Sequence, residues 1–222
     1  MFKARMKFSK TGRAKYISHL DVMHVMQRSI ARAGLPVWFT EGFNQHAYIS
    51  VALPLATCFS GECEFLDFHM LADTVPADAA DRMNAAFPEG FYAYEIYDIA
   101  DGGMKIRDIG FSRYRIICTL DQGVPEGFVE SCRALFQQEE LLVMKKSKRG
   151  EKLVNMQDLL RSVTFAAGEH TIEIQAVCAA GQENLSPEYV VKAIRDHLPE
   201  VSIDGVSYHR QMVYTKDGKE FR

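Results

Sequence analysis

The 222-residue sequence contains no run approaching the roughly 18–20 consecutive apolar residues that a membrane span needs, so no membrane association is expected. Its opening residues, Met1-Phe2-Lys3-Ala4-Arg5-Met6-Lys7, lack the apolar block and small-residue cleavage site of a secretory signal. Cysteine is scarce and scattered: Cys58, Cys63, Cys118, Cys132 and Cys178 are odd in number, which argues against a disulfide framework. Low-complexity segments are absent, and a composition of 47% hydrophobic and 25% charged residues excludes a disordered chain. Together these absences predict a soluble cytoplasmic protein, long enough for one large domain or two small ones.

Motifs that carry chemistry are missing as well. There is no Gly-x4-Gly-Lys-Ser/Thr phosphate loop, Gly-x-Ser-x-Gly elbow, His-Glu-x-x-His helix or Gly-x-Gly-x-x-Gly fingerprint. Cys58 and Cys63 form a single C-x4-C pair with His46 and His69 nearby in sequence, whereas structural zinc sites repeat such pairs. His19 and His24 are five apart on a predicted helix and so miss the i, i+4 spacing of a metal pair. No metal, no cofactor and no catalytic set is therefore expected.

What is present is a polarity of charge. Lys and Arg total 26 against 29 Asp and Glu, a formal net charge of −3. Residues 1–36 carry eight basic side chains (Lys3, Arg5, Lys7, Lys10, Arg13, Lys15, Arg28, Arg32) against Asp21 alone, a balance of +7. Residues 37–104 carry eleven acids against Arg82, a balance of −10, and the remainder is neutral. A basic block of this kind either faces a polyanion or is neutralised by its acidic neighbour in the fold.

Periodicity predicts the elements. Residues 2–8 alternate as a half-buried strand. Ser18 and Asp21 resemble a capping box, followed by Leu20, Met23, Met26, Ile30 and Ala33 at helical spacing, with Gly34 and Pro36 as the stop. Strands are predicted at Val37–Thr40 and Tyr48–Leu55, around the loop Glu41-Gly42-Phe43-Asn44-Gln45-His46, and then at Glu62–Met70. A helix over Ala77–Phe87 and a strand over Phe91–Ile99 complete a β-α-β-β-α-β series, the ferredoxin-like split unit. Asp101-Gly102-Gly103 is the natural boundary.

The second half repeats the series: alternation over Ser112–Leu120, a helix over Pro125–Gln138, and strands at Leu141–Lys146 and His170–Cys178. Ser186-Pro187-Glu188 opens a helix to His197, and Val201–Tyr214 closes the sheet. Leu153–Val163 reads as a short insertion with helical character. The fold expected is α+β, two ferredoxin-like (βαββαβ) halves with antiparallel sheets, 1–103 and 104–222.

Both opening strands put basic residues on one face, Lys3, Arg5 and Lys7 in the first half and Arg113 and Arg115 in the second. Asp67, on a neighbouring strand, is expected to pair with one of these across the sheet. The candidate binding residues are the basic turn Lys10, Arg13 and Lys15, with His19 beyond it, and the loop residues Gly42, Phe43, Asn44 and His46. Gly42 permits turn geometry that other residues resist, Phe43 offers an apolar anchor, and His46 can bind a phosphate when protonated.

The stretch Phe8–Leu55, "FSKTGRAKYISHLDVMHVMQRSIARAGLPVWFTEGFNQHAYISVALPL", resembles the signature of the bacterial radical-SAM-linked protein family, a domain of unknown function. Phe8, Ser9, Lys10, Gly12, Ser18, His19, Leu20 and Asp21 match its first block, Arg32 to Pro36 its second, and Gly42, Phe43, Asn44, His46, Ile49, Ser50, Ala52, Leu53 and Pro54 its third. Gln45 and Ala47 stand where the family favours proline, and Asn155 where an acid is expected. The resemblance implies a gene beside, or fused to, that of a radical SAM protein with a cobalamin-binding-type domain. This chain has no C-x3-C-x2-C motif, so iron–sulfur chemistry would belong to that partner. A weaker similarity of layout links it to RAMP-type ferredoxin-like endoribonucleases, which implies metal-independent RNA cleavage with His46 as base. The leading expectation is a non-catalytic companion subunit that binds RNA or another substrate for a radical SAM protein. A pure protein-interaction module and the His46 nuclease are the alternatives.

Overall fold

Strand β1 (Phe2–Lys10) carries the strict alternation of the opening residues into the structure: Ala4, Met6 and Phe8 are buried in the apolar core. The computed structural model describes residues 1–99, 103–147 and 150–222. The chain divides into two compact units, 1–106 together with Arg222, and 107–221. Asp101 and Gly102 of the expected boundary lie outside the described residues. The C-terminal Arg222, expected with the second half, groups with the first.

In the first unit, β1 leads through a 3-10 turn (Gly12–Tyr16) into α1 (His19–Ala33), then β2 (Ile49–Ala52), β3 (Phe59–Met70), α2 (Ala79–Ala86) and β4 (Phe91–Asp98). Every pairing is antiparallel, and the order across the sheet is β4-β1-β3-β2. The expected strand at Val37–Thr40 is reduced to isolated bridges, Val37 to Met70 and Phe39 to Ala47, because the chain peels away into the exposed loop that follows.

Helix α1 begins as its sequence dictates. The Asp21 backbone N–H donates to Ser18 Oγ at 3.2 Å, and the Ser18 N–H donates to the Asp21 carboxylate at 3.3 Å. It ends at Gly34, whose left-handed φ of 61° suits glycine. Val22, Met26 and Ile30 bury its apolar stripe against the sheet residues Met6, Leu66 and Phe68. The two helices cap each other. Arg82 of α2 donates to the Ala33 and Gly34 carbonyls at the end of α1, and Arg32 of α1 donates to Ala86 O at the end of α2. Each guanidinium thus satisfies carbonyls that a helix end leaves open and complements its dipole. Asn84 then fastens α2 to β4 through both hydrogen bonds of the Ala93 peptide.

On the other face of β1, Arg5 is fully buried beside its cross-strand neighbour Asp67. Its Nε and Nη2 donate to the two carboxylate oxygens at 2.6 and 3.0 Å, and Nη1 donates to the Met104 and Arg222 carbonyls, each at 3.0 Å. Lys3 Nζ lies 3.1 Å from the same carboxylate.

The second unit contains β5 (Ile109–Thr119), α3 (Phe128–Phe136), β6 (Leu142–Ser147), β7 (Gly150–Asn155), β8 (Leu160–Ala167), β9 (Thr171–Ala179), α4 (Glu188–His197) and β10 (Gly205–Thr215). Its sheet is antiparallel in the order β10-β5-β9-β8. The Leu141–Lys146 region forms no part of it: β6 pairs with β7 in a separate hairpin, and β8 takes the place beside β9. Both stretches bury apolar residues, Leu141 and Val143 in one and Leu160 and Phe165 in the other, so what separates them is that β8 takes the ladder of β9. Leu153–Val163 is accordingly the end of β7, a 3-10 turn (Met156–Asp158) and the start of β8 rather than a helical insertion. Asn155 Oδ1 closes that turn by accepting from the Gln157 and Leu141 N–H groups.

Two stability measurements follow. Asp67→Ala strands a buried guanidinium and costs about 3–5 kcal/mol in denaturant unfolding, whereas the double variant Arg5→Met, Asp67→Leu loses less. Acid titration is the second. The Ser18 hydrogen bonds lower the carboxyl pKa of Asp21, and the Arg115 hydrogen bond does the same for Glu173. A folded pKa below the unfolded one gives stability that is present above about pH 4 and lost as pH falls through the folded value. The thermal midpoint should therefore fall in that acid window, with a smaller drop in Asp21→Asn and Glu173→Gln.

Candidate functional site

The 3-10 turn Gly12–Tyr16 is held on three sides. The Thr11 N–H donates to Gly90 O, the Cys58 N–H donates to Lys15 O at 2.7 Å, and Ala14 is buried. Gly90 has φ +93°, and a Cβ there would lie 2.7 Å from both Thr11 O and Ala14 Cβ, so only glycine lets the turn seat. The turn holds Arg13 exposed and Lys15 half-buried, with the Lys15 ammonium 4.9 Å from the centre of the exposed Tyr16 ring. Lys10, at the end of β1, is buried instead.

Lys10 and His19 come together at one cleft with Val51, Pro54, Leu55 and the buried Glu64. The first and third blocks of the signature therefore both contribute to it, through Phe8, Lys10 and His19 and through Pro54. The loop behind it holds two non-glycine residues with left-handed backbone, Leu53 at φ 50° and Cys58 at φ 71°. The cleft has a volume of only about 10 Å³, room for one water and not for a nucleotide.

The loop Gly42–His46 lies elsewhere. Trp38 N–H donates to His69 O and Val37 bridges Met70, which fixes the loop base at the far end of β3. Lys10 is opposite Gly61, so eight residues of β3, roughly 25 Å, separate the two places. The candidate binding residues of the basic turn and of this loop, expected to act together, are thus set at opposite ends of β3 by the register. The rings of Trp38, Tyr48 and His69 cluster at the base, with Trp38 and Tyr48 5.3 Å apart. Phe43 stands fully exposed at the tip, beside Gly42 at φ 113° and the exposed Asn44. His46 Nδ1 lies 3.0 Å from the Asn44 carbonyl, which can only accept, so Nδ1 is the donor in this contact. A His46 base would have neither Lys10 nor the Gly12–Tyr16 cations at hand.

The basic block is partly consumed. Asp67 engages Lys3 and Arg5, and Arg32 is spent on α2, while Arg13 and Arg28 stay exposed. Burial pushes the Cys118 and Cys178 thiols up to about 12 and Cys132 to about 11, which leaves them poor nucleophiles. Among the described residues, no group of three or more His, Cys, Asp and Glu is placed to hold a metal ion, and no helix is long and apolar enough to cross a membrane. A second cationic cluster, around Arg113 and Arg161, lies in the second unit. Arg161 is legible in sequence only as an isolated charge.

These features define an α+β protein of antiparallel sheets and four helices among the described residues, with its signature side chains largely at the surface. Residues 3–187 match DUF2344, described as an uncharacterized protein conserved in bacteria, and the chain belongs to that family. No curated protein matches. A solved structure, "Crystal Structure of an Unknown Protein from Galdieria sulphuraria", is similar at 13% identity over 100% of this chain and 99% of that one, with a TM-score of 0.25.

Seating of the basic turn can be tested at its glycines. Gly90→Ala should lower unfolding stability by about 1–3 kcal/mol or more, from strained backbone and overlap with Thr11 and Ala14. Gly12→Ala, with φ +54° and open space around it, should cost only about 1–2 kcal/mol in the same denaturant titration.

Proposed function

We propose that the chain is a non-catalytic companion subunit of a radical SAM protein, holding RNA or an RNA-linked substrate on two ferredoxin-like halves. The strand orders β4-β1-β3-β2 and β10-β5-β9-β8, each with a helix after the first and third sheet strands, fit that architecture. The radical SAM partnership rests on the signature resemblance in Phe8–Leu55.

The observation that carries the RNA reading is the Phe43 ring, fully exposed at the tip of a glycine-containing loop. Single-stranded RNA is bound by stacking unpaired bases on such rings, with nearby cations tracking the phosphates. Tyr48 and Phe39, also exposed, extend the aromatic surface, and Arg13, Lys15 and Arg28 supply charge elsewhere on the unit. The water-sized cleft at Lys10 and His19 favours binding over chemistry, since a reacting group would not fit there.

Anisotropy of a short fluorescent single-stranded RNA should show binding at about 50 mM salt that weakens steeply by about 200 mM. Phe43→Ala should reduce affinity roughly tenfold, as loss of one stacked base does, and Arg13→Gln with Lys15→Gln should flatten the salt dependence. Absence of binding at low salt, or indifference to both sets of substitutions, overturns the RNA reading. Co-purification with a radical SAM protein but no RNA affinity would identify a protein-interaction module instead.

A further inference from the structure

We infer that the second unit carries a phosphate-binding site built from Arg113, Arg161, Ser162 and the turn at Gly218. It stands apart from the RNA reading, whose residues lie in the first unit.

The alternation of β5 and β9 divides the sheet into two faces. Tyr114, Ile116, Ile172, Ile174, Ala176 and Cys178 are buried on the face that also receives Phe165, which meets Phe136 of α3. Phe111 and Arg113 of β5 lie on the opposite face, where Arg113 is paired with Val177 of β9, and Val177 with Ser162 of β8. The β8 register slips between Leu160 and Ser162, leaving Arg161 as the extra residue of a bulge. Leu160 stays buried, while Arg161 and Ser162, consecutive in sequence, line one cavity with Arg113, Val177, Tyr214 and Gly218. A bulge re-aims a side chain in this way, which regular alternation forbids.

Two guanidiniums in one cavity repel unless something negative sits between them. Neither Arg113 nor Arg161 has a carboxylate or a hydrogen-bond acceptor among the described residues, and Arg113 Nε is a buried donor with no partner. Their neighbour Arg115 shows the ordinary outcome, since it pairs with Glu173 at 2.6 Å. Instead, Arg113 lies over the Tyr214 ring at 6.0 Å and Arg161 over the Phe111 ring at 4.9 Å. A cation–π contact of this kind uses none of the N–H donors, which are left for a ligand. Gly218, at φ +84°, makes room: a Cβ there would come within 3.1 Å of Arg161 Nη1. Asp217, the nearest acid in sequence, is taken up by Thr215 Oγ1 at 2.5 Å and Lys219 Nζ at 3.0 Å.

A planar fork of N–H donors on each of two arginines, with a serine hydroxyl beside them, matches the several acceptor oxygens of a phosphate. The cavity volume of about 420 Å³ falls in the range of pockets that hold small ligands, so either free phosphate or a phosphate ester fits.

Calorimetric titration of the full chain with inorganic phosphate, adenosine 5′-monophosphate and adenosine tests the site. Saturable binding of phosphate or the monophosphate, with Kd below about 1 mM, is expected, and the tighter of the two names the source. Adenosine should not bind. Arg161→Gln, at an exposed residue, should weaken binding about tenfold or more, as should Arg113→Gln. Arg161→Lys should restore only part of it, because an ammonium lacks the fork. Lys192→Gln on α4, a cation paired with Asp196 outside this cavity, should change nothing. No saturable binding of either phosphate compound, adenosine binding as well as its monophosphate, or indifference to Arg161→Gln overturns the site whatever the RNA measurements show.

Discussion

The first unit is organised around one buried ion pair. A guanidinium inside a protein is tolerated only when its charge and its donors are satisfied, and Arg5 is satisfied by Asp67 together with the Met104 and Arg222 carbonyls. Such a pair adds little net stability over an apolar equivalent, but it tolerates no error in register. Sliding β1 by one residue against β3 would set Arg5 opposite Leu66 or Phe68 and turn Ala4, Met6 and Phe8 out of the core. Everything that hangs on the two ends of β3, the basic turn at one and the aromatic loop at the other, takes its position from that register.

Charge disposal follows the same logic throughout the chain. A basic block of +7 beside an acidic one of −10 invites mutual neutralisation, and the fold carries it out in part. Asp67 absorbs Lys3 and Arg5, and the crossed arginines Arg32 and Arg82 spend their donors on each other's helix ends. What is left on the surface, chiefly Arg13, Lys15 and Arg28, is a smaller cationic surface than the sequence total suggests. In the second unit, Arg115 is neutralised by Glu173 while Arg113 and Arg161 are not. Arg113 and Arg161 thus mark a place where the fold has left charge available.

Local signals were legible because their physics is local. The alternation of residues 2–8, the Ser18–Asp21 box and the Gly34 stop each depend on neighbours within a few positions, and each occurs where the sequence places it. The pairing of Asp67 with a basic residue of β1 was also legible, from the expected apposition of β1 and β3. The strand identities of the second unit were not. Leu141–Lys146 and the stretch containing Leu160 and Phe165 have similar patterns and both bury apolar residues, and only the choice of pairing partner separates the hairpin from the sheet. Nor could sequence separate Lys10 from His46, which share one signature, since their distance is set by the length of β3 between them.

By itself, then, the sequence determined the α+β class, the helix ends of α1 and the residues of the signature, since propensity, periodicity and capping act within a few residues. Tertiary structure alone decided which cations remain unpaired, that Lys10 and His19 meet in a cleft too small for a substrate, and that a bulge turns Arg161 toward Arg113. Those outcomes depend on strand register and on burial, which bring together residues far apart along the chain, and no local pattern encodes them.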